Sequence, residues 1–278
     1  MLRLLWQETW GRRGAIIGWG IGLGLWAVIA FVLYPSLAEQ MAALQLPEFY
    51  KAIGDMSNIG SLEGFVDLEF FTWIPLVFGI YALIAGTGAL AGEEEAGTLE
   101  LTMALPLPRW QLVLMKAAAL GIAVFLMLLI SFAGAMVGYQ AVLDQVETAV
   151  TPGRLLAATL NGWPVVMVFA MLSLWLGAYL PHRRHAGALA TLALIVTYFM
   201  NSLGNLINDL QPLQPWSPFY YFASFDTLMN GMDAGNVLTL LATAGVLLLL
   251  AVISFQRRDV TVAAWPWERL RARAASGD

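Results

Sequence analysis

Long apolar stretches, separated by short polar segments, are the main pattern along the chain. Six of them reach the length of about 20 residues that an α-helix needs to cross the hydrocarbon core of a membrane. The predicted spans are residues 14–34, 70–92, 111–139, 155–180, 186–208 and 235–255. The first follows three arginines, as a signal peptide would, but its apolar part is too long for one, so we interpret it as a retained span. The pattern predicts an all-α integral membrane protein in which residues 1–278 form one six-span domain.

The basic residues predict which side of the membrane each loop faces. With six spans, both termini lie on the same side, and all 14 Lys and Arg residues except Lys51 and Arg154 fall on that side. Basic loops face the cytoplasm, whereas acidic residues contribute little to orientation. We therefore expect a multi-pass protein of the plasma membrane, with both termini and the loop at Glu93–Glu95 in the cytoplasm.

The composition agrees with a protein that contacts the lipid bilayer. Hydrophobic residues make up 59% of the chain and charged residues 12%, whereas a soluble domain has roughly 45–50% and about 25%. The chain has no cysteine, which excludes disulfides and thiolate metal sites. Its net charge of −5 argues against nucleic acid as a partner.

Ionisable residues are rare inside the predicted spans, where only Lys116 occurs. Ion-coupled carriers usually hold a group that changes charge at mid-membrane, so this pattern disfavours a self-sufficient secondary carrier or channel. That alternative stays open, because carriers also couple ions through backbone carbonyls and hydroxyls, and so does a membrane structural or assembly protein. The chain has no Gly-x-x-x-x-Gly-Lys-Ser/Thr sequence to bind nucleotide phosphates, so a pump built on these spans would need energy from outside the bilayer.

The sequence shows no pattern typical of an enzyme. His182 and His185 are spaced as helical metal ligands are, but their short loop contains no carboxylate. Basic residues that anchor two helix ends at the lipid headgroups explain this loop better. We therefore predict no catalytic residue, no metal site and no cofactor in this chain.

Three consecutive carboxylates stand between the second and third predicted spans. Gly92 is expected to end the second span, because glycine tolerates the backbone of a helix end. Glu93–Glu95 would then begin a short amphipathic helix, where the helix dipole favours carboxylates. Pro106 and Pro108 would end that helix, and Arg109 would anchor the next span. The pattern predicts an acidic docking segment at the cytoplasmic surface.

The same segment resembles a known family. Glu93-Glu-Glu-Ala-Gly-Thr-Leu-Glu-Leu, followed by Leu105-Pro-Leu-Pro-Arg-Trp-Gln-Leu-Val-Leu-Met-Lys116, is similar to the signature of permease subunits of type-2 ABC transporters. The resemblance implies an ATP-driven exporter in which two permeases, the same or homologous, pair with two separate ATPase subunits that bind ATP and Mg²⁺. It also implies an N-terminal amphipathic helix, a cytoplasmic coupling helix and outer re-entrant helices before the last span.

The resemblance assigns candidate residues to ATPase coupling. They are Glu93, Glu94, Glu95, Gly97, Thr98, Leu99, Glu100 and Arg109. Which glutamate contacts the ATPase and which holds the loop internally stays open at this point. A solvated acidic surface cluster is the alternative interpretation.

Polar residues recur along one face of the fifth predicted span. Thr197, Asn201, Asn205 and Asn208 are spaced at i, i+4, i+8 and i+11. This stripe could line a translocation path for a polar or amphipathic substrate, or could form hydrogen bonds between helices. The resemblance favours the path, since in such permeases the second and fifth spans face the dimer interface.

Glycines in two other spans predict close helix packing and no transport role. They are Gly18, Gly20, Gly22 and Gly24 in the first span and Gly134 and Gly138 in the third.

Overall fold

The computed structural model describes residues 2–43, 60–99, 107–146 and 148–257. All regular elements in these ranges are helical, and six of the helices are long and apolar enough to cross a membrane. The predicted class and the six predicted spans are therefore confirmed.

The helices are numbered here in chain order. They are α1 (Leu2–Gly11), α2 (Arg13–Ala43), α3 (Leu62–Glu95), α4 (Arg109–Val142), α5 (Pro152–Tyr179), α6 (Arg183–Leu206), α7 (Ser224–Asn230) and α8 (Ala234–Arg257). Two 3₁₀ segments, Asn208–Trp216 and Pro218–Tyr221, lie between α6 and α7. Helix α1 packs against α4, and the end of the bundle that carries α1 is called the terminal end. The opposite end, where α3 begins, is called the distal end.

Helix α3 begins eight residues before the predicted start of the second span. Ser61 caps it, because its hydroxyl oxygen accepts from the backbone N–H of Gly64 at 3.1 Å. The additional turns carry Glu63, Asp67 and Glu69, so the prediction that this span contains no carboxylate is wrong. Glu63 is tolerated there because its Oε1 accepts from the hydroxyl of Thr148 at 2.8 Å and from a neighbouring backbone N–H at 3.0 Å.

The spans differ in how much of their surface the chain itself covers. In the most apolar stretch of each span, 72% of the residues are buried for α5 and 67% for α3, but only 17% for α6 and for α8. Helices α3, α4 and α5 therefore form the centre of the bundle. Helices α6 and α8 present most of their apolar surface to lipid or to another chain.

Glycines bring α2 and α4 into close contact. A Cβ on Gly134 would overlap the backbone of Gly24, and a Cβ on Gly138 would come within 3.0 Å of the backbone of α2. The hydroxyl of Ser131 also donates to the carbonyl of Gly20 at 3.1 Å across the same contact. Close packing is therefore confirmed for the predicted glycines of α4 and for Gly20 and Gly24.

The other predicted glycines of α2 lie on a different face. A Cβ on Gly18 or Gly22 would meet no atom within 4 Å, so the prediction of close packing is wrong for these two residues within the chain. They line an apolar groove of about 660 Å³ between α2 and α3, together with Trp26 and Trp73. The indole N–H of Trp26 donates to the carbonyl of Glu69 and joins the two helices near the distal end.

Short helices occupy the distal end before α8. Their presence was predicted, whereas their re-entry into the membrane stays a prediction. The side-chain amide of Asn161 in α5 donates to the carbonyl of Phe222 and to the hydroxyl of Thr227, the latter at 3.0 Å. The hydroxyl of Ser217 donates to the carbonyl of Thr197 at 2.8 Å. These bonds fix the short helices to α5 and α6.

Candidate functional site

Helix α3 ends at the terminal end of the bundle in a Schellman motif. The N–H of Gly97 donates to the carbonyl of Glu94 at 3.0 Å, and the N–H of Thr98 donates to the carbonyl of Glu93 at 2.9 Å. Gly97 has a φ of +70°, a left-handed conformation that glycine adopts without steric cost. The Thr98 hydroxyl donates to the same Glu93 carbonyl at 3.2 Å, so the turn is held by three hydrogen bonds.

Two predictions about this end are therefore wrong. Gly92 does not end the helix but lies inside it, with helical φ and ψ, in the π-helical segment Gly88–Gly92. Glu93–Glu95 form the last turn of α3 and not the first turn of a new helix. The helix dipole is unfavourable to carboxylates at a C-terminus, so these three side chains need positive partners.

Glu93 forms an ion pair inside the bundle. Its Oε1 accepts from the Nζ of Lys116 in α4, and this ammonium also donates to Oε1 of Glu8 in α1 at 3.0 Å. Glu8 in turn lies 3.6 Å from an Nη of Arg12. Two carboxylates and two cations thus form a neutral cluster that joins α1, α3 and α4. We call these four residues the charge cluster.

Lys116 is the centre of the charge cluster. Its side chain is fully buried, whereas the side chains of Glu8 and Glu93 are each 26% exposed. An ammonium in such a place is stabilised only if carboxylates or other acceptors surround it. Lys116 therefore fixes the end of α3 to α4 and to the N-terminal helix at once.

Glu95 acts on a different helix. Its Oε1 accepts from the backbone N–H of Arg183 at 2.8 Å, at the first residue of α6. A carboxylate at that position satisfies a free N–H and is favoured by the helix dipole. Oε1 also lies 4.0 Å from Nδ1 of His182, so a carboxylate from α3 does accompany this loop.

The side chain of Arg183 lies along the π-helical segment of α3. One of its Nη atoms donates to the carbonyl of Ile84 at 3.4 Å. A Cβ on Gly88 would come within 3.3 Å of the guanidinium, and a Cβ on Gly92 within 3.2 Å of its Cδ. The glycines of this segment therefore make room for Arg183, which ties the end of α3 to the start of α6.

The remaining predicted coupling residues lie around this turn. Glu95, Gly97 and Thr98 are exposed, Glu94 is half-buried and Leu99 is buried. Glu100 and the rest of the predicted coupling helix, through residue 106, lie outside the described residues. Arg109 begins α4.

The predicted polar stripe of α6 faces the 3₁₀ segment Asn208–Trp216. The side-chain amide of Gln214 donates to Oδ1 of Asn205 at 2.6 Å and to the carbonyl of Asn201 at 3.0 Å. Thr197 donates its hydroxyl to its own helix, at 2.7 Å from the carbonyl of Ala193. The stripe therefore packs partly against its own chain.

Asn208 lies beyond the end of α6, in the first turn of that 3₁₀ segment. Its Oδ1 accepts from the side chain of Gln211 at 3.3 Å. The spacing predicted that Asn208 lies on the same face of the helix as Asn201 and Asn205. This prediction is wrong, because α6 ends at Leu206.

No role in this site was assigned from the sequence to four residues: Glu8, Arg12, Lys116 and Arg183. The one lysine inside an apolar span was a usable signal, because a buried ammonium requires a carboxylate nearby. The choice of Glu8 and Glu93 could not be made from spacing, since they lie 108 and 23 residues from Lys116.

Comparison with known proteins agrees with this architecture. The family model described as ABC-2 family transporter protein matches residues 5–260. The chain belongs to this family. It is therefore a multi-pass transmembrane permease subunit of an ABC transporter, a kind of subunit that is not itself catalytic.

This ABC-2 family permease also resembles two curated proteins. The "Probable ABC transporter permease protein NosY" of Pseudomonas aeruginosa is 39% identical over 29% of this chain and 28% of the relative. The protein of the same name from Stutzerimonas stutzeri is 30% identical over 52% of this chain and 51% of the relative. The chain thus matches about half or less of the length of these relatives.

Proposed function

We propose that this permease is the transmembrane subunit of an ATP-driven exporter and works as a dimer with separate ATPase subunits, which bind ATP and Mg²⁺. The observation that carries the proposal is that the end of α3 is exposed on one side and bonded to other helices on the other. Glu95, Gly97 and Thr98 are exposed there, while the charge cluster and Arg183 tie the same turn to three other helices. A partner that binds the exposed turn therefore acts on α1, α3, α4 and α6 together.

The glutamates of the triplet have different roles in this proposal. Glu93 holds the loop internally, through Lys116. Glu95 fixes the start of α6, and its exposed side chain is also within reach of a partner. Together with the half-buried Glu94, it would offer negative charge to a basic groove of the ATPase.

A first prediction tests the coupling role with the double substitution Glu94→Gln/Glu95→Gln. We expect roughly tenfold less ATPase subunit bound to the affinity-tagged permease purified from its native host, because two charge contacts are lost at little cost in shape. Recovery of the ATPase is measured by quantitative mass spectrometry, and ATP hydrolysis is measured on the same sample.

The matched control is Asp209→Asn, which removes an exposed carboxylate at the distal end. Equal recovery of ATPase with the parent and with the double variant would contradict the docking role. Transport without any ATPase would favour the self-sufficient carrier or channel.

A second prediction concerns orientation, which we propose as cytoplasmic for the terminal end. The chain has no cysteine, so single cysteines can be introduced without background. In intact cells, an impermeant thiol reagent is expected to label Asp209→Cys and to leave Glu95→Cys and Arg184→Cys unlabelled until the membrane is permeabilised. All three positions are exposed in the structure. The reverse pattern of labelling would invert the proposed orientation.

A third prediction concerns the proposed path along α6. Asn201 is half-buried and its backbone carbonyl accepts from the side chain of Gln214, whereas in Asn205 the side-chain oxygen itself accepts from Gln214. We therefore expect Asn201→Leu to alter ATP hydrolysis per assembled complex at an unchanged yield, and Asn205→Leu to lower the yield. If the path lies at the dimer interface, Asn201→Cys should also crosslink between subunits in one nucleotide state only.

An unchanged hydrolysis rate for Asn201→Leu, together with no crosslink between subunits in any nucleotide state, would contradict the proposal that the stripe lines the path.

A further inference from the structure

A cavity of about 370 Å³ lies at the distal end, between α3, α6 and the short helices before α8. Its size is at the lower end of the range for small-molecule sites, which is about 300–1,000 Å³. Its lining includes the polar residues Asp67, Asp226 and Asn201 and the aromatic residues Tyr198, Tyr220 and Phe225. The cavity is thus suited to a ligand with one polar and one apolar part.

The charges on the cavity wall favour a cation. Two of the described lining residues are carboxylic acids, and none of the described lining residues is basic. Asp67 is only 7% exposed, so a cation bound beside its ionised carboxylate would be attracted in a medium of low dielectric constant with little screening. Ionisable groups at membrane depth commonly mark ligand or ion sites.

The aromatic lining residues favour an organic cation over a metal ion. Tyrosine and phenylalanine rings attract an ammonium through their faces, and quaternary ammonium groups are bound in this way by aromatic cages. A metal ion would need several ligands in one place, and the described residues contain no group of three or more His, Cys, Asp or Glu side chains that could hold one. We propose that this cavity binds a monovalent organic cation that carries an aromatic or alkyl group.

The cavity is held open by bonds that do not involve a ligand. Ser217 and Asn161 fix the short helices to α6 and α5, as described above. Ala223, which also lines the cavity, has a φ of 34°, a left-handed conformation that costs about 1–2 kcal/mol for a residue with a Cβ. Such strain persists where the surrounding contacts fix the backbone, and it is concentrated at ligand sites. A preformed cavity of this kind loses little entropy when a ligand binds.

The proposal concerns binding alone and goes beyond the proposed export function, so it is tested without ATP. The full chain is reconstituted in nanodiscs of phosphatidylethanolamine and phosphatidylglycerol, and binding of radiolabelled benzyltrimethylammonium is measured by equilibrium dialysis. The matched anion is benzenesulfonate. We expect saturable binding of the cation, no saturable binding of the anion, and a Kd for the cation that rises with salt concentration.

Three variants locate the site. Asp226→Asn is expected to raise the Kd roughly tenfold, and its amide oxygen can still accept the hydrogen bond that Asn230 donates at 2.6 Å. Tyr220→Leu is expected to raise it about threefold, through loss of a cation–π contact. Asp209→Asn is the control, because it removes an exposed carboxylate of the same end that does not line the cavity.

Addition of phosphatidylcholine to the nanodiscs distinguishes two possible sources of the bound cation, a lipid headgroup and a free molecule. Competition by this lipid would identify its trimethylammonium headgroup as the natural occupant, and unchanged binding would identify a free molecule. Equal Kd values for Asp226→Asn, Asp209→Asn and the parent, or saturable binding of benzenesulfonate with similar affinity, would overturn the proposal.

Discussion

Replacement of Lys116 by Met is expected to lower the free energy of unfolding by about 3 kcal/mol. Methionine fills a similar volume but removes the ammonium that Glu8 and Glu93 share. Breaking a buried ion pair leaves an uncompensated charge and costs about 3–5 kcal/mol. The lower end of that range applies because both carboxylates are partly exposed and because Arg12 still lies near Glu8.

The measurement is SDS titration of the detergent-solubilised permease, followed by tryptophan fluorescence. The control is the double variant Lys116→Met/Glu93→Gln, in which the carboxylate left in the last turn of α3 is neutralised as well. It is expected to recover part of the loss, since a neutral pair is less costly to bury than one charge. Identical unfolding curves for Lys116→Met and the parent would show that the charge cluster does not stabilise the fold.

Replacement of Gly134 by Ala is expected to lower the free energy of unfolding by about 1–3 kcal/mol, the usual cost of overpacking. The added methyl group would overlap the backbone of Gly24, which cannot move aside as the end of a flexible side chain can. Helices α2 and α4 would have to separate, and the hydrogen bond from Ser131 to Gly20 would lengthen.

Gly22→Ala is the matched control, because it adds the same methyl group to α2 on the face where a Cβ meets open space. It is expected to change the free energy of unfolding by less than about 0.5 kcal/mol. The same SDS titration compares the two variants. A larger loss for Gly22→Ala than for Gly134→Ala would mean that the two faces of α2 are wrongly assigned.

The six spans could be predicted because hydrophobicity over about 20 residues is a local property of the sequence. The first turns of α3 could not be predicted in this way, because a hydropathy scale scores their carboxylates as polar whatever surrounds them. Glu63 is tolerated in the bundle because the hydroxyl of Thr148 and the backbone N–H of Ala149, both far away in sequence, donate to it. A hydropathy pattern contains no information about those partners.

The candidate site was predicted in composition but not in geometry. Gly92 and Gly97 carry the same local signal for a helix end, and only Gly97 adopts the left-handed backbone. Which of the two ends α3 depends on distant groups: Lys116 holds Glu93 in the last turn, and Arg183 occupies the space beside Gly92. The different roles that we propose for the glutamates of the triplet could be assigned only from these contacts.

The stripe on α6 shows the same limit. Its periodicity correctly placed Asn201 and Asn205 on one face, since side chains four residues apart share a face of a helix. The group that covers part of that face, Gln214, belongs to a segment whose position depends on tertiary contacts.

Helix α3 carries Glu93 at one end of its length and Asp67 near the other. At about 1.5 Å per residue, the helix between them is roughly 40 Å long, and a tilt of about 5° around its midpoint moves each end by roughly 2 Å in opposite directions. A displacement of that size exceeds the width of the distance range over which a hydrogen bond forms, about 2.7–3.2 Å. A tilt of this helix would therefore change the distances in the charge cluster and at the distal cavity at the same time.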